Sequence, residues 1–488
     1  MNIKKTFMAA LCAVMLLPAT AVAQFNWPYE VKNGVIVTKV PERPAGQKDA
    51  LNLTTPKINV LRVGFVGLGM RGHEAVRRWV YQEGVQIMGL CDHEQARAEA
   101  SNEQLRQAGL PPATLYSGED GYKALCERPD VDLIYIAVDW EHHFPVAKYA
   151  MEHGKHVAIE VPSAMNLDEI WQLINLSEQK RVHCMMLENC CYDFFELSAL
   201  EMARQGVFGD IIHAEGAYCH NLTDYWDGYW RNWRLDFNSK HKGDVYPTHG
   251  LGPVCQALNI HRGDRMKTLV AMDTPSANGI KSVKRFQNED MPDFQNGDLT
   301  ATMILTEKGK SILIEHDVMT PRPYNRMYQL VGTEGYAAKY PVEQWSISKG
   351  QADSLGLFLN EQNETGDGLM NERDRIDFHG ALPEDVVKKL QAKYPTPILD
   401  KDLEELAKRV GGHGGMDFLM DYRLNYCLHY GLPLDMDVYD LAEWCCIGEL
   451  GAISIANGCA PVEVPDFTRG AWDKVDGFKY AFADGSMK

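Results

Sequence analysis

The chain alternates between two rhythms of apolar and polar residues, and they divide it into distinct regions. From Ile58 the first rhythm is strand, then helix. Val60–Val66 is an apolar run interrupted only by Arg62 and followed by glycines, the pattern of a strand buried on both faces. Glu74 to Tyr81 has helical spacing, and Gln86–Asp92 is a second strand ending in an acid. A charged helix follows over roughly 93–108. Leu133–Val138 is a third strand, His143–His153 a helix, and His156–Glu160 a fourth strand. Such alternation predicts a doubly wound parallel sheet of Rossmann type over 58–185. After about 185 the rhythm breaks. Ile211–Tyr218, Leu299–Thr306 and Lys310–His316 read as strands between long polar loops, 350–400 is polar and irregular, and 401–457 turns helical. Residues 186–475 are therefore expected to form an α+β domain on a largely antiparallel sheet, followed by a tail over 476–488.

The N-terminus follows neither rhythm. Lys4 and Lys5 precede a short apolar run, Phe7–Leu17, and Ala21-Val22-Ala23 is a small-x-small cleavage pattern. Residues 1–23 are expected to be a signal peptide, so the mature chain would begin at Gln24 outside the cytoplasm. Residues 24–57, rich in proline and lysine, read as an N-terminal arm. No second apolar stretch is long enough to span a membrane.

Composition adds limits. In 488 residues, 45% are hydrophobic and 24% charged, as in ordinary globular proteins. The formal charge is −18, or −20 once the two leader lysines are removed. So acidic a chain is a poor partner for nucleic acid and is neutral evidence on an uncharged sugar or glycan. Eleven cysteines follow the leader with no C-x-x-C pair and no zinc spacing, so they are expected to be buried small hydrophobes. The His142-His143 pair lacks a third ligand at suitable spacing, and no metal is expected.

Two segments carry chemistry. Gly67-Leu68-Gly69-Met70-Arg71-Gly72 follows a strand and opens a helix, and Asp92 ends the next strand 20 residues beyond Gly72. The glycines permit a tight turn, close approach of a pyrophosphate and close helix packing, and Asp92 suits ribose hydroxyls. The cofactor expected is NAD, since Asp92 would repel a 2′-phosphate, a repulsion that Arg71 would soften. The second segment is Gly243–Pro253. If Pro247 opens a helix, Tyr246 and His249 share one face of its first turn. An imidazole of ordinary pKa suits proton transfer from a sugar hydroxyl.

With these motifs the chain resembles the Gfo/Idh/MocA oxidoreductases, on His153–Pro162. Most of that superfamily ends this run in Glu-Lys-Pro with a catalytic lysine, whereas this chain has Glu160-Val161-Pro162. That departure, with Trp140–His143, Glu188–Tyr192, Tyr246–Pro253, Pro321–Tyr324, Gly431–Asp440 and Pro465–Gly470, resembles glycoside hydrolase family 109, the NAD-dependent α-N-acetylgalactosaminidases. The chain departs from it at Val138-Asp139, His142 and the acidic 193–196.

The resemblance implies oxidation at sugar C3, elimination across C1–C2, water addition and re-reduction. It implies NAD contacts from Met70, Arg71, Asp92, Trp140, Glu141, His142, His143, Glu160, Val161 and Asn189. It implies sugar contacts from Tyr218, Arg234, Tyr246, Pro247, Thr248, His249 and Tyr324. His249 would take the C3 hydroxyl proton beside Tyr246, Tyr192 is the candidate C2 base with Tyr218 as the alternative, and Glu160 would orient cofactor or sugar. Homo-oligomers through a sheet face are common in that family. Two readings stay open beside this one: a sugar dehydrogenase releasing an oxidised product, and a non-catalytic sugar-binding protein.

Overall fold

The computed structural model describes residues 25, 27–226, 233–357 and 379–488. The expected leader, Trp230–Asn232 and part of the irregular 350–400 segment lie outside them.

The first rhythm forms a six-stranded, all-parallel sheet. Its order is Thr114–Ser117, Val85–Asp92, Leu61–Val66, Leu133–Ile136, His156–Ile159, Cys184–Met186. Helices Met70–Trp79, Gln95–Gln107, Trp140–Glu152 and Leu167–Lys180 connect the strands. Helices on both faces of the sheet explain why its strands are apolar at nearly every position. Strand order reverses between Leu61–Val66 and Leu133–Ile136. Doubly wound sheets bind ligands at such a switch point, outside the carboxyl ends of the strands.

The second rhythm builds a ten-stranded mixed sheet, mostly antiparallel. Ile211–Cys219 lies near its middle, parallel to Ser311–Asp317 and antiparallel to Tyr328–Gly332. Strands here alternate buried and exposed positions, as in Thr300–Thr306, because only one face is covered. Helix Thr248–Leu258, buried throughout, packs on Ile211–Cys219. Gly216 and Gly250 permit that approach, since a Cβ on Gly216 would sit 2.1 Å from the Gly250 carbonyl oxygen. Met272, Met303, Leu305 and Ile212 remain about half exposed on the sheet.

Three features go beyond the sequence reading. Within the 24–57 arm, Tyr29–Lys32 and Val35–Thr38 form a hairpin that joins the large sheet beside Val462–Glu463. The 476–488 tail is anchored: Phe478 and Tyr480 are buried, and Tyr480 and Lys488 exchange backbone hydrogen bonds. The two halves also interlock. Helix Met416–Tyr430 meets Met70–Trp79, and Val438–Ala456 packs on Leu167–Lys180 as well as on strand Met266–Asp273. All eleven described cysteines are free thiols, ten of them buried.

Candidate active site

The glycine loop lies at the switch point with the geometry a dinucleotide needs. Gly67 has φ +88°, and a Cβ there would meet the Ala137 backbone at 2.6 Å. A Cβ on Gly72 would lie 1.8 Å from the Gly67 carbonyl oxygen, so loop and helix touch. Gly69 differs, because its Cβ would meet only Arg97 Nη1 at 3.7 Å. The space over Gly69 is therefore free for a pyrophosphate. Helix Met70–Trp79 begins there with no side chain capping its first amides, which leaves them for an anion. Asp92 is buried and accepts the Leu68 N–H at 2.7 Å and the Glu94 N–H at 2.9 Å, which fixes the loop against the next strand. The residues present fit NAD.

Arg71 does not face Asp92. Its guanidinium donates to Glu160 and Asp417, both at 2.9 Å. It is thus committed elsewhere and does not soften Asp92's repulsion of a 2′-phosphate. Asp417 also accepts from Asn189 Nδ2 at 2.6 Å and meets His413 Nδ1 at 3.0 Å. Burial opposes its charge, but Arg71, with His413 and Arg78, holds its carboxyl well below the usual carboxylate range. Tyr135 donates to Glu160 at 3.3 Å, so Glu160 is a fixed strut of this network. Among the other predicted cofactor residues, Met70, Glu141 and His142 are exposed, and His142 meets Asp139, the cap of its own helix. His143 is buried on the Pro162 carbonyl at 2.7 Å, and burial lowers its pKa. Trp140 donates to the carbonyl of Val161 at 3.3 Å.

Tyr246, His249, Tyr218 and Arg234 come together as expected. Pro247 caps helix Thr248–Leu258, so His249 sits in the first turn and Tyr246 just before it. The Tyr246 hydroxyl lies 3.3 Å from His249 Nε2, and the rings meet edge-on at 4.8 Å. Tyr218 packs on both rings, at 4.8 and 5.2 Å. The Arg234 guanidinium lies 4.5 Å from the ring centres of both Trp140 and Tyr246. Thr248 and Pro247 are buried, whereas Tyr324 is exposed at the rim, edge-on to His220.

The sequence reading assigned no role to Glu188, which the fold sets directly against His249. Its Oε1 lies 2.7 Å from His249 Nδ1, with both side chains buried. Burial drives the His249 pKa down to about 4, against the pull of Glu188. Burial also works against the Glu188 charge, but His249 holds its carboxyl below the ordinary value. The pair is therefore a carboxylate and a neutral imidazole. The carboxylate accepts Nδ1–H, which leaves Nε2 as a free base beside the Tyr246 hydroxyl.

Tyr192 is placed differently: its hydroxyl donates to Asp435 at 3.1 Å in a buried group with Arg423. Burial, followed by Asp435, raises its pKa well above that of an ordinary phenol. The Tyr218 hydroxyl, beside Tyr246 and His249, lies 2.9 Å from His220 Nδ1. Burial, reinforced by Arg234 and Arg326, holds His220 down to about 4, a neutral imidazole able to accept a proton.

Glu188, Cys190 and His249 place ligand atoms within 4.8 Å of one another, as do His261, Asp437 and Asp440. A guanidinium already lies against each group, Arg326 on Cys190 and Arg262 on Asp440, which disfavours a cation.

Known proteins align with the chain along its length. The model of the glycosyl hydrolase 109 C-terminal domain matches residues 192–474, and that of the oxidoreductase family NAD-binding Rossmann fold matches 61–188. The glycosyl hydrolase family 109 protein 1 of Bacteroides thetaiotaomicron is 57% identical over 482 residues, 99% of this chain and 100% of that protein. The family 109 protein of Porphyromonas gingivalis is 57% identical over 450 residues, 92% and 93% of the two chains. In fold the chain is similar to an NAD-binding oxidoreductase from Klebsiella pneumoniae (TM-score 0.57, 16% identity, 83% of this chain and 100% of that one). It is likewise similar to levoglucosan dehydrogenase in complex with NADH and levoglucosan (TM-score 0.56, 17% identity, 83% and 100%). No helix among the described residues is long and apolar enough to cross a membrane.

Proposed function

The chain belongs to glycosyl hydrolase family 109, and from that premise we propose an exported, NAD-dependent glycosidase of α-linked N-acetylgalactosamine that works by oxidation and elimination. The observation that carries the reading is the buried Glu188–His249 pair with its free Nε2. NAD, which the Gly67–Gly72 loop and Asp92 would hold, would supply a reversible hydride acceptor for sugar C3. His249 Nε2 takes the C3 hydroxyl proton, directly or through the Tyr246 hydroxyl 3.3 Å away, while Glu188 stabilises the imidazolium that forms. A C3 ketone acidifies the C2 proton. In this reading Tyr218 removes it and passes it on to His220, 2.9 Å away, in the role first expected of Tyr192. Arg234, Trp140 and Tyr246 hold the sugar: aromatic faces cover its C–H surface and the guanidinium binds its oxygens. Where lysine-dependent relatives carry their base this chain has buried Val161, which supports His249 as the base in its stead.

The test is hydrolysis of an α-N-acetylgalactosaminide in D₂O. Deuterium at C2 of the released sugar with no net NADH is expected, whereas protium fully retained at C2 removes the oxidation–elimination route. Net NADH with an oxidised product would mean a dehydrogenase. Export rests on the pattern over residues 4–23. Mass analysis of secreted protein should find Gln24 at the N-terminus, and an intact Met1 would refute it.

A further inference from the structure

We propose that Arg326 is a catalytic residue that carries the negative charge forming on the sugar C3 oxygen when the C2 proton is lost. The proposal rests on the oxidation–elimination reading above and adds to it a residue and a role.

The first observation is a contrast. Three other buried guanidiniums sit on carboxylates: Arg78 on Asp421 at 2.8 Å, Arg262 on Asp440 at 2.6 and 2.9 Å, Arg423 on Asp435 at 2.7 and 2.8 Å. Arg326 is 8% exposed and has no carboxylate within 4.0 Å among the described residues. Among the described residues its one hydrogen bond runs from Nη1 to the Cys190 thiol at 3.4 Å, its guanidinium lies 5.6 Å from the Tyr324 ring centre, and its buried Nε has no hydrogen-bond partner. A buried cation left without a counter-charge is costly, which is why such groups are normally paired.

The second observation is position. The register that pairs Gly216 with Tyr328 and Cys219 with Asn325 sets Arg326 opposite Tyr218. His316 lies beside Tyr218 on the other neighbouring strand. Three strands thus present His316, Tyr218 and Arg326 in a row, and Tyr218 meets Tyr246 and His249 from the helix above. Burial, with help from Arg234, keeps His316 neutral, its pKa pushed down to about 3. Arg326 is also near enough to His249 to oppose its protonation. The unpaired guanidinium therefore belongs to the reacting end of the pocket.

The chemistry matches. Once C3 is a ketone, the C2 proton passes to the base, and its electron pair forms a C2–C3 double bond with an oxyanion on O3. The pair then restores C3=O, forms C1=C2 and breaks the C1–O bond. The departing oxygen takes up the proton that left C2. A fixed cation at O3 strengthens its hold as the oxyanion forms and so favours the transition state over bound substrate.

Arg326→Met and Arg326→Ala in the full NAD-loaded chain test this with 4-nitrophenyl α-N-acetylgalactosaminide in D₂O. Expected for both is a roughly 100- to 1000-fold fall in kcat, a KM within about threefold on the same ground, and C2 exchange slowed in parallel. Guanidinium added to Arg326→Ala should restore part of the rate. Arg326→Met should melt no lower than the parent, since it removes an uncompensated buried charge. A raised KM with kcat unchanged would mean ground-state binding only, and a lowered melting temperature with normal turnover per folded molecule would mean a structural role. Either result overturns the proposal. Parent enzyme that exchanges C2 alongside an Arg326→Met that exchanges at the parent rate sinks Arg326's role alone. Absence of exchange in the parent sinks the elimination chemistry, and this role with it.

Discussion

Replacing Glu188 with Gln probes the site most directly, because it removes one charge and little else. The amide oxygen can keep the places held by Oε1 against His249 Nδ1 at 2.7 Å and the Cys190 N–H at 3.1 Å. What disappears is the attraction between a carboxylate and the imidazolium created when His249 takes the hydroxyl proton. Charge centres about 4 Å apart, as such a contact implies, attract by about 4 kcal/mol at an effective dielectric near 20. Expressed as a barrier, that is about three powers of ten in rate. The assay is the first-turnover appearance of NADH absorbance on mixing with substrate, alongside steady-state hydrolysis. Both should fall by about 10³, with KM little changed and cofactor retained. The pH profile is a second reading. His249 must be neutral at Nε2, and burial holds its pKa down to about 4, so parent activity should persist as pH falls through 6 and decline only near 4. In Glu188→Gln the acid limb should move lower still, because the group that raises the imidazole pKa is gone. A loss below tenfold, or a parent acid limb near 6.5, would refute the reasoning.

Further outcomes are expected. Tyr192→Phe should keep activity within about threefold and lose about 1 kcal/mol of stability with its bond to Asp435; a loss of activity comparable to that of His249→Ala would restore Tyr192 as the base. Gly69→Leu should abolish NAD retention while leaving the cofactor-free melting temperature nearly unchanged, whereas Gly72→Ala should lower that temperature, its Cβ lying 1.8 Å from the Gly67 oxygen; equal melting shifts in the two would contradict this. Asp417→Asn, which strips a buried counter-charge from Arg71 and Arg78, should destabilise the fold by about 3–5 kcal/mol in denaturant titration. His261 is pushed up to about 10, because Asp437, Asp440 and Glu443 outweigh burial and Arg262. With the folded pKa above the unfolded one, its contribution is complete below about 6.5 and lost as pH rises toward 10. The melting temperature should therefore drop over that range, and more steeply than in His261→Gln.

The strands of the six-stranded sheet were legible because parallel strands buried on both faces are continuous apolar runs. The glycine loop and Asp92 were legible because local spacing fixes their geometry. Tyr246 and His249 followed from Pro247, whose ring opens a helix. Glu188 was not legible as His249's partner: 61 residues separate them, and the sequence holds 67 acids to choose among. Asp417 lies 346 residues from Arg71, and only the packing of helix Met416–Tyr430 reveals the pair. Arg326 is found by what it lacks, which no local pattern encodes. The hairpin in the N-terminal arm had a signal that the reading passed over. Asn33-Gly34, both at positive φ, sits between Tyr29–Lys32 and Val35–Thr38, the residue pair that tight hairpin turns demand. The partner of Tyr192 was equally hidden: Asp435, which accepts its hydroxyl, lies 243 residues along the chain.

The interlocking of the two halves bears on what can be cut from this protein or grafted onto another. A fragment ending near residue 188 would contain the entire parallel sheet and its glycine loop. It would leave Arg78 without Asp421 and Arg71 without Asp417, and it would uncover the surfaces that Met416–Tyr430 and Val438–Ala456 occupy. The nucleotide-binding half is therefore no portable cassette. Swapping it between relatives should succeed only when the carboxylates of the distal helix travel with it, so recombination junctions that preserve function belong in loops that keep both partners from one parent.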